Sequence, residues 1–186
     1  MRKVRSRTGH NGDVSPGPAF EALVADVYEP LQRYLRRRTD PATADDVLGD
    51  VLLVLWRRAE DIPADAILAW CYGVARGCLA NSLRGAARQQ KLVRRLAAEA
   101  PIASAHDDPA LDEALQALSG GDRELLRLWA WEQLAPREIA LVLAISPNAA
   151  SIRLHRATKK LRTELTRRKD TGGPGQPVER RGREAL

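Results

Sequence analysis

From residue 18 to residue 166 the apolar side chains step by three and four, and nowhere do they alternate. A period near 3.6 lines one face of a helix, whereas a half-buried strand needs a period of two. Phe20, Leu23, Val24, Val27, Leu31, Tyr34 and Leu35 trace a first helical face. It closes on Arg36-Arg37-Arg38, cations suited to a helix C-terminus. Thr39-Asp40-Pro41 is a break, with Pro41 suited to the first turn of the next helix. Val47, Leu48, Val51, Leu52, Val54 and Leu55 mark that second helix, which ends between Trp56 and Asp61. Ile62-Pro63-Ala64-Asp65 is a short loop, with Asp65 the expected N-cap of a third helix. That helix runs from about Ala66 through Ile67, Trp70, Cys71, Val74 and Cys78 towards Arg88. The expected fold class is all-α.

The pattern is interrupted three times. Residues 1–17 and 167–186 are polar, basic and rich in Gly and Pro, and are expected to be disordered arms. Residues 93–110 hold Ala100-Pro101 and Asp107-Asp108-Pro109 and read as a flexible linker, able to span about 60 Å when fully extended. Beyond it four helices are expected: Leu111–Leu118, Asp122–Gln133, Pro136–Ala144 and Pro147–Thr166. Two small helical bundles, 18–92 and 111–166, joined by a flexible linker, is the predicted architecture.

Several function classes drop out. No clean apolar run, Val51–Trp56 included, comes near the ~20 residues of a membrane span. The basic N-terminus lacks the apolar stretch of a signal peptide, so a cytoplasmic protein is expected. Cys71 and Cys78 lie seven apart on one helix, about 10.5 Å of rise, beyond disulfide reach, and read as small buried hydrophobes. His10, His106 and His155 have no second ligand at metal spacing, and neither phosphate loop nor nucleophile elbow is present. No catalytic constellation, metal or cofactor is expected. The net charge of +6 sits in the two arms, so the local arrangement of charge must speak for nucleic acid.

That arrangement is clearest near the C-terminus. Pro136–Ala144 is a short helix, Ile145-Ser146-Pro147 a tight turn, and Asn148–Leu165 a longer helix. Ile139, Ala140, Leu143, Ile145, Ala150, Leu154 and Leu161 face inward, which makes a helix-turn-helix. Its second helix carries Ser151, Arg153, His155, Arg156, Lys159 and Lys160 on the remaining faces. Side chains near such a helix's start reach base edges in the major groove, and later cations take phosphates.

The stretch from Gln133 to Leu161, with Leu118–Leu128 before it, resembles region 4 of bacterial sigma factors of the extracytoplasmic-function (ECF) group. Asp45–Trp56 resembles the region 2 helix that docks on core RNA polymerase, and Ala69–Gly77 the following helix, which meets the −10 element. The resemblance implies an alternative sigma factor that is not itself an enzyme. Its partners would be core polymerase (the β′ clamp helices and the β flap), promoter DNA and an anti-sigma factor. The polymerase surface would comprise Asp45, Asp46, Gly49, Asp50, Leu53 and Trp56. The −10 surface would comprise Asp65, Ile67, Trp70, Tyr72, Arg76, Gly77, Asn81, Arg84 and Arg88. The −35 surface would comprise Asn148, Ser151, Ile152, Arg153, His155, Arg156, Lys159 and Lys160. The loop Asp61–Ala66 is similar to the place where an unstacked non-template base is captured.

Four departures from the family pattern bear on these expectations. Gly49-Asp50 replaces a usual Gln-Glu pair, and a mid-helix Gly costs about 1 kcal/mol against Ala. Gly77 replaces an Asn at the −10 helix. Ala144 stands where the turn usually has Gly, so a left-handed backbone there would be strained. Ser151-Ile152 replaces a polar or basic pair, shifting −35 specificity to His155 and Arg156 and leaving Ile152 to a thymine methyl. Two rival readings are a free-standing LuxR-like regulator, which would need an N-terminal sensor or receiver, and a helical adaptor that binds only protein.

Overall fold

A computed structural model describes residues 17–93 and 109–171. The expected N-terminal arm and most of the expected linker and C-terminal arm lie outside these residues. Among the described residues the structure is helical, with no strand. The helices are α1 (Pro18–Arg36), α2 (Pro41–Arg57), α3 (Ile67–Val93), α4 (Pro109–Gln116), α5 (Gly120–Ala130), α6 (Pro136–Leu143) and α7 (Pro147–Thr171). A single 3-10 turn, Ala59–Asp61, follows α2. The chain divides into two compact units, with the boundary at residues 102 and 103.

In the first unit α1, α2 and α3 pack against one another. Leu31, Tyr34 and Leu35 of α1 and Val51 and Leu55 of α2 are fully buried, as are Cys71 and Ala75 of α3. Each large aliphatic side chain buried in this way is worth about 1.5–3 kcal/mol. Asp40 caps α2, its Oδ1 accepting from the Thr43 N–H at 3.0 Å, and Pro41 opens the first turn. Those hydrogen bonds to Thr43 hold the Asp40 carboxyl below its ordinary value. The cap of α3 differs from expectation. The Ala66 carbonyl accepts the first helical bond, from the Trp70 N–H at 2.9 Å, so Ala66 occupies the position expected for Asp65. Cys71 is buried and Cys78 half-buried; burial raises both thiols, Cys71 to about 11.

In the second unit Leu115, Leu118 and Leu126 gather around Ala157 of α7, with Leu154 and Leu161 packed against them. Ser119 caps α5 by accepting from the Asp122 N–H at 3.1 Å. The helix predicted to end at 166 runs on to Thr171, into the stretch expected to be a disordered arm. An ion-pair clasp accounts for the extra turn. Arg168 pairs with Glu164 at 2.9 Å and with Glu113 of α4 at 3.5 Å, and donates to the Glu113 carbonyl at 3.2 Å.

The turn between α6 and α7 is built to type. Ala144 is left-handed (φ 52°, ψ 48°); its N–H donates to the Leu141 carbonyl at 3.3 Å, and the Ile145 N–H donates to the Ala140 carbonyl at 3.0 Å. Together these form a Schellman closure. At the opposite end of α6 the Glu138 carboxylate accepts from the Ala135 N–H at 2.7 Å. Ser146 starts α7, its Oγ accepting from the Ala149 N–H at 3.2 Å. A left-handed alanine costs about 1–2 kcal/mol, and glycine's extra freedom in the unfolded chain takes back about 0.5–1. Ala144→Gly is therefore expected to stabilise the C-terminal unit by about 0.5–1 kcal/mol, read as a rise in its unfolding midpoint.

Candidate nucleic-acid and polymerase interfaces

α2 is two-faced. Ala44, Val47, Leu48, Val51 and Leu55 are buried. Asp45, Asp46, Gly49, Asp50, Leu53 and Trp56 are all exposed, spaced by one, three or four residues, and so share the opposite face. Leu53 is 51% exposed and Trp56 38%, an unusual pair of apolar side chains to leave in water. The face is not uniform. Asp45 is drawn towards α1 by Arg36 at 3.4 Å. Trp56 rests against Phe20 of α1, ring centroids 6.0 Å apart. Phe20 reads in the sequence as one more member of the α1 core stripe, and nothing in its spacing marks it as a neighbour of Trp56. A Cβ added at Gly49 would meet nothing within 4 Å, so no close packing there requires glycine.

On α3 and just before it, the nine residues expected at the −10 element separate into four groups. Trp70, Gly77, Asn81, Arg84 and Arg88 fall within a narrow stripe at about 100° per residue, and all but the half-buried Trp70 are exposed. Arg84 is folded back on its own helix, donating to the Asn81 side-chain oxygen and to the Ala80 carbonyl. Asp65, in the loop before the helix, and Ile67, its first residue, are both exposed. Arg76 is exposed but lies about 80° round the helix from Arg84 and about 120° from Arg88, outside the stripe. Tyr72 corrects the expectation outright. It is 3% exposed, and its ring packs on that of Tyr34 at 5.0 Å, so it belongs to the core and has no face for DNA. Two residues along a helix are about 200° apart, so Tyr72 points away from the side that carries Trp70.

On α7, Ala150 and Ala157 are fully buried. Asn148, Ser151, Ile152, Arg153, His155, Arg156, Lys159 and Lys160 are all exposed. Ile152, at 43%, is the apolar member of a polar face. Ser151 donates its hydroxyl to the Pro147 carbonyl at 3.1 Å, leaving its oxygen as an acceptor. Lys160 is tied to α5, its Nζ 2.6 Å from the Asp122 carboxylate, which is only 18% exposed. The sequence offers no signal for this bond, because the partners are 38 residues apart. A groove of about 540 Å³ runs along this side, lined by Leu118, Ser119, Asp122, Arg156, Lys159 and Thr163 among others, so the cations border a concave surface. Among the described residues no cluster of three or more His, Cys, Asp or Glu is placed to hold a metal. No described helix is long and apolar enough to cross a membrane.

Both units have relatives among known proteins. Residues 20–89 match the Sigma-70 region 2 family and residues 109–161 match Sigma-70, region 4. RNA polymerase sigma factor CarQ of Myxococcus xanthus is 34% identical over 159 residues, 79% of this chain and 89% of that protein. The chain belongs to the ECF group of RNA polymerase sigma factors. ECF RNA polymerase sigma factor SigL of Mycobacterium tuberculosis is 31% identical over 167 residues, 82% of this chain and 94% of its own. Among solved structures, CnrH in complex with the cytosolic domain of CnrY aligns at TM-score 0.56 and 26% identity, over 83% of this chain and 90% of that one. The sigma factor RpoE in complex with the anti-sigma factor NepR, from Bartonella quintana, shares the fold at TM-score 0.62 and 19% identity, over 80% and 97%. The chain is thus an alternative sigma factor directing promoter recognition. The region 2 match removes the ground for a free-standing LuxR-like regulator, since the N-terminal unit is neither a sensor nor a receiver.

The Asp122–Lys160 tie has a pH signature. The Lys160 ammonium, helped by the Ser119 hydroxyl and Arg153, holds the Asp122 carboxyl below its ordinary 3.8, against a smaller opposing effect of burial. A carboxyl lowered in the folded state stabilises the fold above its unfolded value, and that contribution is lost as pH falls towards the lowered one. Asp122→Asn is expected to lower the unfolding temperature of the C-terminal unit by a few degrees at pH 7. The gap to wild type should close once the pH is well below 3.8.

Proposed function

We propose that the three exposed faces divide the work of initiation. The α2 face of Asp46, Asp50, Leu53 and Trp56 docks on the β′ clamp helices of core RNA polymerase, an apolar anchor with an acidic rim. The α3 stripe from Trp70 to Arg88, with the loop before it, holds the melted −10 strand. The start of α7 reads the −35 major groove, with Asn148, Ile152 and Arg153 nearest the bases and Arg156 and Lys159 towards phosphates. The β flap is the expected partner of the C-terminal unit. Residues 94–108 serve as the tether between the two units. The polymerase supplies the catalysis; none is assigned to this chain, which acts where polymerase and chromosome meet, in the cytoplasm.

The observation that carries this reading is the pairing of Leu53 and Trp56, exposed side by side beneath three aspartates on a region 2 helix. Apolar side chains at the centre of a charged rim are the ordinary composition of a protein-binding hot spot. An anti-sigma factor that covers the same face completes the reading, supported by the two structural relatives, each solved in complex with a partner protein.

The test is retention of tagged chain on purified core polymerase, followed by run-off transcription from a library with randomised −35 and −10 elements. Wild type is expected to be retained stoichiometrically and to enrich one promoter class. Leu53→Arg with Trp56→Ala is expected to weaken retention by about 30-fold or more, the loss of a hot spot of about 2 kcal/mol. Arg153→Glu with Arg156→Glu is expected to keep polymerase and lose −35 selection. Failure of the wild-type chain to bind core polymerase would overturn the reading.

A further inference from the structure

The turn from α2 to α3 holds a contact that the division of labour above leaves unused. Arg58, at the C-cap of α2, places its guanidinium carbon 5.1 Å from the centroid of the Trp70 indole, one turn into α3. Residues 59–66, the 3-10 turn and the loop after it, lie between the two in sequence, so the contact closes that loop at its base. Trp70 also stands at the head of the α3 stripe that continues through Gly77, Asn81, Arg84 and Arg88. A strand laid along the stripe ends at the indole.

We propose that Arg58 is a gate over a base seat on Trp70, its guanidinium covering the indole until an unpaired base of single-stranded DNA takes its place. The proposal rests on the sigma-factor reading of α3 and adds a residue to it. Stacked bases lie about 3.4 Å apart, so a base slipped between two flanking planes needs about 7 Å. The 5.1 Å separation leaves no such room, and the base must displace the guanidinium rather than share the ring with it.

Displacement is cheap. The Arg58 side chain is 53% exposed, and its other bond is a surface pair with Asp61 at 2.9 Å, whose carboxylate is 59% exposed. A guanidinium over an exposed ring is worth about two- to fivefold in an equilibrium constant, and an exposed ion pair no more. A base stacked on an aromatic side chain is worth about five- to 150-fold. The base therefore outcompetes the gate, while duplex DNA, with its bases paired and stacked, has nothing to offer the ring. The gate keeps an indole face off solvent and off other ligands until the −10 strands separate.

The test uses holoenzyme assembled with core polymerase and a promoter recovered from the randomised library, prepared once as duplex and once with a mismatched bubble over its −10 element. Arg58→Ala is expected to tighten binding to the bubble by about two- to fivefold and to leave the duplex unchanged. Trp70→Leu, which keeps apolar bulk without a π face, is expected to weaken bubble binding by about fivefold or more. In the Trp70→Leu background Arg58→Ala is expected to have no effect. Weakened or unchanged bubble binding by Arg58→Ala, or an effect that persists with leucine at 70, would overturn the gate. Arg58→Gln, which keeps the length of the side chain without its charge, must show the same gain even if the alanine variant folds poorly. A wild-type chain that recovers no promoter at all sinks the sigma-factor reading instead, and is a different result.

Discussion

The constraint on which the rest depends is that each helix buries one narrow aliphatic stripe and leaves the opposite stripe in water. With a single phenylalanine in the chain, the cores are built mainly from Leu, Val, Ile and Ala, and the helices are drawn close. On α2 the burial of Val47, Val51 and Leu55 orients the helix so that Asp46, Asp50, Leu53 and Trp56 turn outward together. On α7 the fully buried side chains are alanines, Ala150 and Ala157. Small residues at those points let the helix lie close to its neighbours and hold its basic face at a set angle. Removing the buried stripe would cost several kcal/mol and would also release the exposed face from its orientation.

Polar contacts then set the position of α7 within its unit. The Schellman closure at Ala144 and the Ser146 cap decide where the helix begins. Lys160 to Asp122 ties its middle to α5, and Arg168 to Glu113 ties its end to α4. Each of these ion pairs has at least one side chain largely in solvent, and such pairs are worth little energy one by one. Their effect is geometric, because they join residues far apart in the chain at two heights along one helix. A recognition helix that is to meet bases must be held within a small range of angles, and a basic side chain spent on Asp122 is part of that hold.

The exposed surfaces differ in what they ask of a partner. The α2 face presents apolar area ringed by negative charge, which suits a protein surface of opposite sign and is poorly suited to DNA. The α7 face presents Arg153, His155, Arg156 and Lys159 and little apolar area beyond Ile152, which suits a groove between phosphates. The α3 stripe is mixed: an indole at one end, arginines at the other and Gly77 with Asn81 between. That order suits a single strand, which offers base faces and phosphates at once.

Much of this was legible without coordinates. The 3.6-residue period named every helix, because aliphatic burial repeats locally and each helix reports it by itself. The helix-turn-helix was legible for the same reason, as were the two-faced character of α2 and the strained alanine in the turn, both set within a few residues of chain. What the tertiary structure alone decided are the relations between residues far apart or on neighbouring turns. Tyr72 went to the core against Tyr34, although its neighbour Trp70 stayed half-buried, because the direction of α1 across α3 chose which face was covered. Phe20 came to Trp56, Arg58 to Trp70 and Lys160 to Asp122 by the packing of whole helices, which no periodicity encodes. The end of α7 moved to Thr171 because Glu113, 55 residues away, was there to receive Arg168. Local burial patterns write the helices and their faces into the sequence; the angles at which those helices cross exist only once they have packed.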